Sequence, residues 1–283
     1  MPELPEVETI KRGLQTYLVG HTVLDIQILD ALRFTGSAEQ IVGSKVVEVK
    51  RRGKGLIIEF ENGYSLAIHV KMTGQLIYQG KKTHGITLSH KVKSLPNNHT
   101  RVIFHLDHNA HLYYNDVRRF GWMKIVPTAS INTILFFQTL GPEPFGELDT
   151  VLTLAYFFTL LQKSTSPIKS VLLDQHKIGG IGNIYANDAL YEAKIDPRRP
   201  ANRLSEAEAE LLFTAIHDVM AFSIEHGAAS DTNYVDALGQ DGRYQNHFKV
   251  YGRAGDICDR CGTIIKRIVI GGRGTFICTK CQR

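Results

Sequence analysis

A chain that opens Met1-Pro2-Glu3-Leu4-Pro5-Glu6-Val7-Glu8 can carry amine chemistry at its first atoms. An initiator Met before a small residue such as Pro is commonly trimmed, which would leave the ring nitrogen of Pro2 as a terminal amine beside several carboxylates. Such an amine titrates near about 7.7 to 8.0 against about 10.4 for lysine, so at neutral pH roughly 300 times more of it is unprotonated and able to attack. Attack on a sugar or carbonyl carbon by a secondary amine gives an iminium directly, which acidifies the neighbouring C–H and eases elimination. Glu3 could supply or remove the proton. Read structurally, the same residues start a helix: Pro5 suits a first-turn position, and Glu6 and Glu8 face the positive end of its dipole.

The four cysteines have a second chemistry. Cys258, Cys261, Cys278 and Cys281 form C-x2-C-x16-C-x2-C, in which two close pairs can grip one tetrahedral structural zinc and leave no position for substrate or water. Two disulfides are the other reading, disfavoured for an intracellular chain whose thiols stay reduced. Between the pairs, Ile264 to Ile270 and Thr275 to Ile277 read as short strands joined through Gly271, Gly272, Arg273 and Gly274, with Arg273 at the tip of a zinc-pinned hairpin. Residues 243 to 283 hold nine Lys or Arg against two Asp, and the rest of the chain is slightly acidic, so phosphate is expected at this end.

Three further clusters suit a nucleic acid. Lys50-Arg51-Arg52-Gly53-Lys54-Gly55 puts four cations on a glycine-bearing turn, either solvated or reaching into a groove through Lys54. Asn115-Asp116-Val117-Arg118-Arg119-Phe120-Gly121-Trp122 sets an aromatic beside two arginines, which is a core Phe or the plug and partner-base contact that extraction of a base from a duplex requires. Leu173 to Asn187 carries Gly179, Gly180 and Gly182 ahead of Asn183, so the backbone could approach an anion and Asn183 could cap the next helix or donate to phosphate. No P-loop or dinucleotide fingerprint is present. Six histidines between His84 and His111 are irregularly spaced and fit no usual ligand pattern.

These groups need scaffolding. Val7, Ile10, Leu14, Tyr17 and Leu18 form an apolar stripe at three- and four-residue spacing, and Gly20 is expected to end that helix. Short β-rich runs follow: Val46 to Lys50, Leu56 to Phe60, Ser65 to Val70, Gln75 to Tyr78, Arg101 to Leu106, His111 to Asn115 and Trp122 to Val126. They predict an antiparallel sandwich or barrel. Helical patterns span Val151 to Gln162, Ile168 to Asp174, Asn183 to Ala193 and Ser205 to Glu225. At 283 residues and 43% hydrophobic content, the composition is that of a two-domain globular protein. The start is acidic, no signal peptide is read, and no apolar run approaches a membrane span, so an intracellular protein with no membrane partner is expected.

The start, the Gly53-Lys54-Gly55 turn, the Arg118-Arg119-Phe120-Gly121 loop, the Gly182-Asn183-Ile184-Tyr185-Ala186-Asn187 helix start and the cysteine ribbon with Gly272-Arg273-Gly274-Thr275 together resemble bacterial formamidopyrimidine-DNA glycosylases from end to end. The resemblance implies an α+β, two-domain fold. A catalytic domain, residues 1–130, holds the nucleophile helix and a β-sandwich; a linker, 131–149, leads to a helical helix-two-turn-helix domain, 150–242, and a zinc finger, 243–283. It implies Pro2 as nucleophile at C1′ of the damaged nucleotide, Glu3 as acid/base, Glu6 in support, and Lys54 as the hairpin lysine at the lesion. Met72, Arg118 and Phe120 would fill the void, Asn183 and Arg273 would bind phosphate, with Arg273 also counted among the catalytic residues, and Lys169 would add a phosphate contact. Damaged double-stranded DNA would be the partner, one structural Zn2+ the cofactor and the cytoplasm, at the nucleoid, the location. A monomer is expected, because one molecule per lesion needs no partner subunit.

The implied reaction is excision of oxidised purines such as 8-oxoguanine and formamidopyrimidines, then β- and δ-elimination. Two segments depart from the family pattern: Val117 replaces the usual Pro, and Gly227-Ala228-Ala229-Ser230-Asp231-Thr232-Asn233-Tyr234 differs from the usual Gly-Gly-Ser-Thr-Leu-Arg-Asp-Tyr. The second leaves lesion preference open. An endonuclease VIII-like enzyme for oxidised pyrimidines and a non-catalytic zinc-ribbon nucleic-acid-binding protein are the alternatives.

Overall fold

The computed structural model describes residues 1–146 and 150–283, so positions 147–149 of the expected linker lie outside the described residues. Two compact units emerge, Met1–Gln138 with Ile224–Gln245, and Thr139–Ser223 with Asn246–Arg283. No helix among the described residues is long and apolar enough to cross a membrane.

The first unit begins with α1, Leu4–Tyr17, which buries Val7, Ile10, Leu14 and the C-cap Leu18 as its spacing requires. Strands β1 (Val23–Ile28), β2 (Phe34–Thr35), β3 (Val46–Arg52), β4 (Gly55–Phe60), β5 (Tyr64–His69), β6 (Gly74–Gln79), β7 (Thr100–Leu106), β8 (His111–Asp116) and β9 (Trp122–Pro127) follow, and the short helix α2, Leu135–Gln138, closes this stretch. They make two sheets, ordered β1-β7-β8-β6 and β2-β9-β5-β4-β3. Side chains of both sheets and of α1 share one core, including Val7, Leu14, Ile58, Leu66, Phe104 and Leu112. The sandwich is therefore as expected, except that β2 joins β9 in parallel. Strands β1 and β2 escaped the sequence pattern. A register shift between Val23 and Asp25 breaks the alternation of β1 and turns Leu24 outward, and β2 is two residues long.

The second unit holds α3 (Leu154–Gln162), α4 (Ile168–Leu173), α5 (Asn183–Glu192) and most of α6 (Glu206–Glu225). The hairpin β10 (Lys266–Ile270) and β11 (Arg273–Ile277) follows, paired in antiparallel register with Ile270 opposite Arg273. Gly271 and Gly272 alone form the turn, both at positive φ of 56° and 72°, a conformation that glycine adopts without steric cost. Arg273 is thus the first residue of β11 and not part of the turn, a correction to the four-residue tip read from sequence: the two left-handed glycines suffice to reverse the chain.

Candidate active site and nucleic-acid interface

Within the first unit, the head of α1 is held on two sides. Pro2 and Glu3 are buried, and Glu3 is the N-cap. One carboxylate oxygen of Glu6 accepts the Glu3 N–H at 2.7 Å, and the other accepts the Ala229 N–H at 3.0 Å. Glu6 therefore ties the helix start to the segment 227–234, and at 2% exposure it has little freedom to move. Most chain ends fray, whereas this one is fixed by a buried carboxylate.

The basic turn is divided by the fold. Lys50 to Arg52 belong to β3, and only Gly53 and Lys54 form the turn. Lys50 pairs with Glu48 and Glu59, and Arg52 bonds Asn132 at 2.6 Å. The Arg51 side chain is buried; its Nε meets Glu8 at 2.9 Å while its guanidinium also donates to Gly53 O at 3.1 Å. Glu8 further accepts from Arg12 and Lys11. Burial alone would raise the Glu8 pKa, but Arg51, Arg12 and Lys11 outweigh it and hold the carboxyl below its ordinary value. This network, which the sequence reading missed, clamps the Lys54 turn to α1. Lys54 itself is buried. His69, against Phe136 and Trp122, has its pKa lowered to about 3 by burial and by the charges of Lys71 and Lys54, so it is neutral at physiological pH.

Sheet topology explains how the loop that carries Met72 comes beside the loop that carries Arg118 and Phe120. His69 at the end of β5 pairs with Trp122 of β9, and Gly74 at the start of β6 pairs with Asp116 of β8. The loops 70–73 and 117–121 therefore cross between the same two sheets side by side. Asp116, 1% exposed, pins both: its carboxylate accepts from Thr73 Oγ1, from Tyr114 Oη at 3.3 Å and from Gly121 N at 2.8 Å. Thr73 Oγ1 in turn accepts the Arg118 N–H at 3.0 Å. Gly121 must lack a side chain, since a Cβ there would lie 1.8 Å from the Tyr114 hydroxyl. Arg119, at φ 57°, pairs with Asp30 at 3.2 Å and braces the loop from outside. Above these roots Met72 and Phe120 stand exposed at 37% and 46%, with the Arg118 guanidinium 4.6 Å from the centre of the Phe120 ring. Phe120 is therefore no core residue. Asp116 and Thr73 carry no sequence signal of their own, because their role exists only once the two loops meet.

In the second unit two of the three phosphate candidates, Lys169 and Asn183, converge on one carbonyl. Gly274 O accepts from Lys169 Nζ at 2.8 Å and from Asn183 Nδ2 at 3.1 Å, and Lys169 also donates to Thr275 Oγ1 at 2.8 Å. Lys169 is wholly buried. Asn187, one turn along α5, accepts the Phe276 N–H at 2.8 Å. Helices α4 and α5 are thus bonded to β11, and Arg273 is exposed beside them, its guanidinium making no hydrogen bond or ion pair among the described residues. The glycine run differs from its expected use. The amides of Gly179 and Gly180 are spent on Pro142 O and Gln175 Oε1, each at 3.0 Å, and cannot serve an anion.

The four cysteines are unpaired by disulfide, and their sulfurs lie within 4.8 Å of one another. Zn–S bonds of about 2.3 Å set tetrahedral S···S edges of roughly 3.8 Å, the scale of this cluster. Tyr191 Oη lies 3.2 Å from Cys258 Sγ, which suits a donor to a metal-bound thiolate. The donor set fits one structural zinc ion.

Comparisons with known proteins agree along the chain. Family models match for the formamidopyrimidine-DNA glycosylase N-terminal domain over residues 1–123, the corresponding H2TH domain over 140–234, and the zinc finger found in FPG and IleRS over 255–283. A formamidopyrimidine-DNA glycosylase of Lactiplantibacillus plantarum is 40% identical over 289 residues, covering all of both chains. The crystal structure of the MutM (Fpg) protein from Thermus thermophilus is similar with a TM-score of 0.85 and 37% identity, covering 99% of this chain and 98% of that one. Lactococcus lactis Fpg (MutM), solved in complex with DNA containing N7-benzyl-Fapy-dG, gives a TM-score of 0.86 at 32% identity over all of both chains. The chain belongs to the formamidopyrimidine-DNA glycosylase family.

Proposed function

We propose that this chain is a bifunctional DNA glycosylase and AP lyase of base excision repair, acting on damaged double-stranded DNA as a monomer in the cytoplasm, with oxidised purines as its substrates. The observation that carries the reading is the buried Pro2-Glu3 start, fixed by Glu6 at the head of an anchored helix. Once Met1 is removed, the Pro2 nitrogen attacks C1′ of the extruded nucleotide. The glycosidic bond breaks and its electrons leave with the base, and the C1′–O4′ bond then opens, its electrons going to O4′, so that an iminium links protein and sugar. Glu3 gives a proton to help open the sugar and then shuttles protons during elimination. The iminium acidifies C2′–H, so the 3′ phosphate leaves by β-elimination, and δ-elimination of the 5′ phosphate follows. Lys54 lies on a turn fixed to α1 by Arg51 and Glu8, which supports its assignment beside the lesion.

Met72, Phe120 and Arg118 would fill the space the nucleotide leaves, the two apolar groups in the stack and the guanidinium on the orphaned base. Arg273 and Asn183 would hold backbone phosphate, with Lys169 acting by fixing Gly274. Borohydride trapping tests the mechanism. Processed protein should form a stable adduct with abasic-site duplex, and Pro2→Gly or Glu3→Gln should lose normal activity while still binding DNA. Full activity with Met1 retained, by intact mass, or an adduct mapped to another amine would refute the scheme.

A further inference from the structure

The connector between β6 and β7, residues 80–98, is absorbed by nothing above. No Asp or Glu occurs from residue 62 to residue 106, and the connector alone holds Lys81, Lys82, Lys91 and Lys93. Its apolar side is accounted for, because Leu88, Val92 and Leu95 pack on Ile77 and Val235 against the sheet. Its polar side bridges two loops of the candidate site. Lys91 Nζ donates to Ser230 O at 2.6 Å and pairs with Asp241 at 2.8 Å, which fixes the connector to the segment whose Ala229 amide bonds Glu6. At its far end, the neighbouring His99 O accepts the Asp116 N–H at 2.8 Å, so the connector ends at the root of the loop bearing Arg118 and Phe120.

Lys81, Lys82 and Lys93 are exposed, and their ammonium groups make no hydrogen bond or ion pair among the described residues. Lys93 stands at φ 65° in the tight turn closed by its amide on Ser89 O, two residues after the anchored Lys91. A solvated strip would normally mix both signs of charge. This one carries a single sign and is held by internal bonds between two site loops.

We infer that the connector is an auxiliary duplex-DNA contact, in which Lys81, Lys82 and Lys93 neutralise backbone phosphates outside the lesion site. The inference rests on the functional reading above. It predicts strength of binding without sequence or lesion preference, since ammonium groups on phosphates carry neither.

The test is the salt dependence of affinity for a duplex carrying a tetrahydrofuran abasic analogue. Each phosphate contact contributes about 0.9 to the slope of log K against log salt. Lys81→Gln/Lys82→Gln/Lys93→Gln should lower the slope magnitude by about 2 to 3. A comparison triple at exposed lysines elsewhere, Lys45→Gln/Lys163→Gln/Lys194→Gln, removes the same charge. It should move the slope by less than about 0.9, that is, less than one contact. Zinc content and thermal melting of both variants report that the fold is intact. A connector variant whose slope falls by less than one contact, or by no more than the comparison triple, overturns the inference. Wild-type protein that bound no duplex would overturn the functional reading instead, and this one with it.

Discussion

Replacing Asp116 by Asn should uncouple the intercalating loops from the chemistry. The carboxylate is buried and accepts from Thr73 Oγ1, Gly121 N and Tyr114 Oη. Asn keeps one acceptor oxygen, and its amide presents donors to a group that is itself a donor, so at least one buried N–H or O–H loses its partner. Hydrogen bonds to charged groups are worth about 1.5 to 3 kcal/mol and a stranded buried donor costs about 1 to 3 kcal/mol, so a local loss of about 2 to 4 kcal/mol is expected. At 1.36 kcal/mol per decade this shifts the order–disorder equilibrium constant of loops 70–73 and 117–121 by roughly 30- to 900-fold. The assay compares single-turnover cleavage of a lesion in fully paired DNA with cleavage of an abasic site in an unpaired bubble. Activity on the paired lesion should fall at least about tenfold, on that free-energy scale, while the bubble substrate, which leaves no stack to fill, should be cut at near the wild-type rate. Equal losses on the two substrates, or none on either, would refute the assignment of Asp116 as the pin of these loops.

Other consequences follow from the same geometry. Lys169→Met should weaken DNA binding without changing its salt slope, because the buried ammonium orients Gly274 and Thr275, whereas Arg273→Ala should lower the slope by about 0.9. Equal slope changes would make Lys169 a direct phosphate ligand. Glu8→Gln takes the negative charge from the buried carboxylate that faces Arg51, Arg12 and Lys11, so it should destabilise the first unit by about 3 to 5 kcal/mol at pH 7, measured by urea unfolding. The folded Glu8 pKa lies below its ordinary 4.5, so its contribution is complete above about that pH and is lost as pH falls through the lower folded value. The gap between wild type and Glu8→Gln should therefore narrow below pH 4.5 and remain constant from pH 6 to 8. Cys258→Ser should abolish stoichiometric zinc by atomic absorption and open residues 255–283 to protease, since structural zinc supplies about 10 to 16 kcal/mol to modules of this kind.

What could be read from sequence was what nearest neighbours along the chain dictate. The 3.6-residue period of Val7, Ile10 and Leu14 determined the buried face of α1, the alternating runs determined most of the strands, and paired C-x2-C gaps determined the metal-binding geometry. The stretch from β1 to β2 was illegible because a bulge destroys the period and two residues carry none.

Tertiary structure alone decided what each charge does. Lys50, Arg51, Arg52 and Lys54 look equivalent in the chain, yet packing around β3 assigns Arg51 to Glu8, Lys50 to Glu48 and Glu59, and Arg52 to Asn132. Lys169 and Arg273 were one class of phosphate donor in sequence. Folding buries the first on Gly274 and leaves the second exposed. The reason is that periodicity reports which face of an element is buried, whereas the partner of a buried charge comes from residues 43 or 105 positions away, as for Arg51 with Glu8 and Lys169 with Gly274. That pairing is fixed only when the sheets, helices and hairpin have packed.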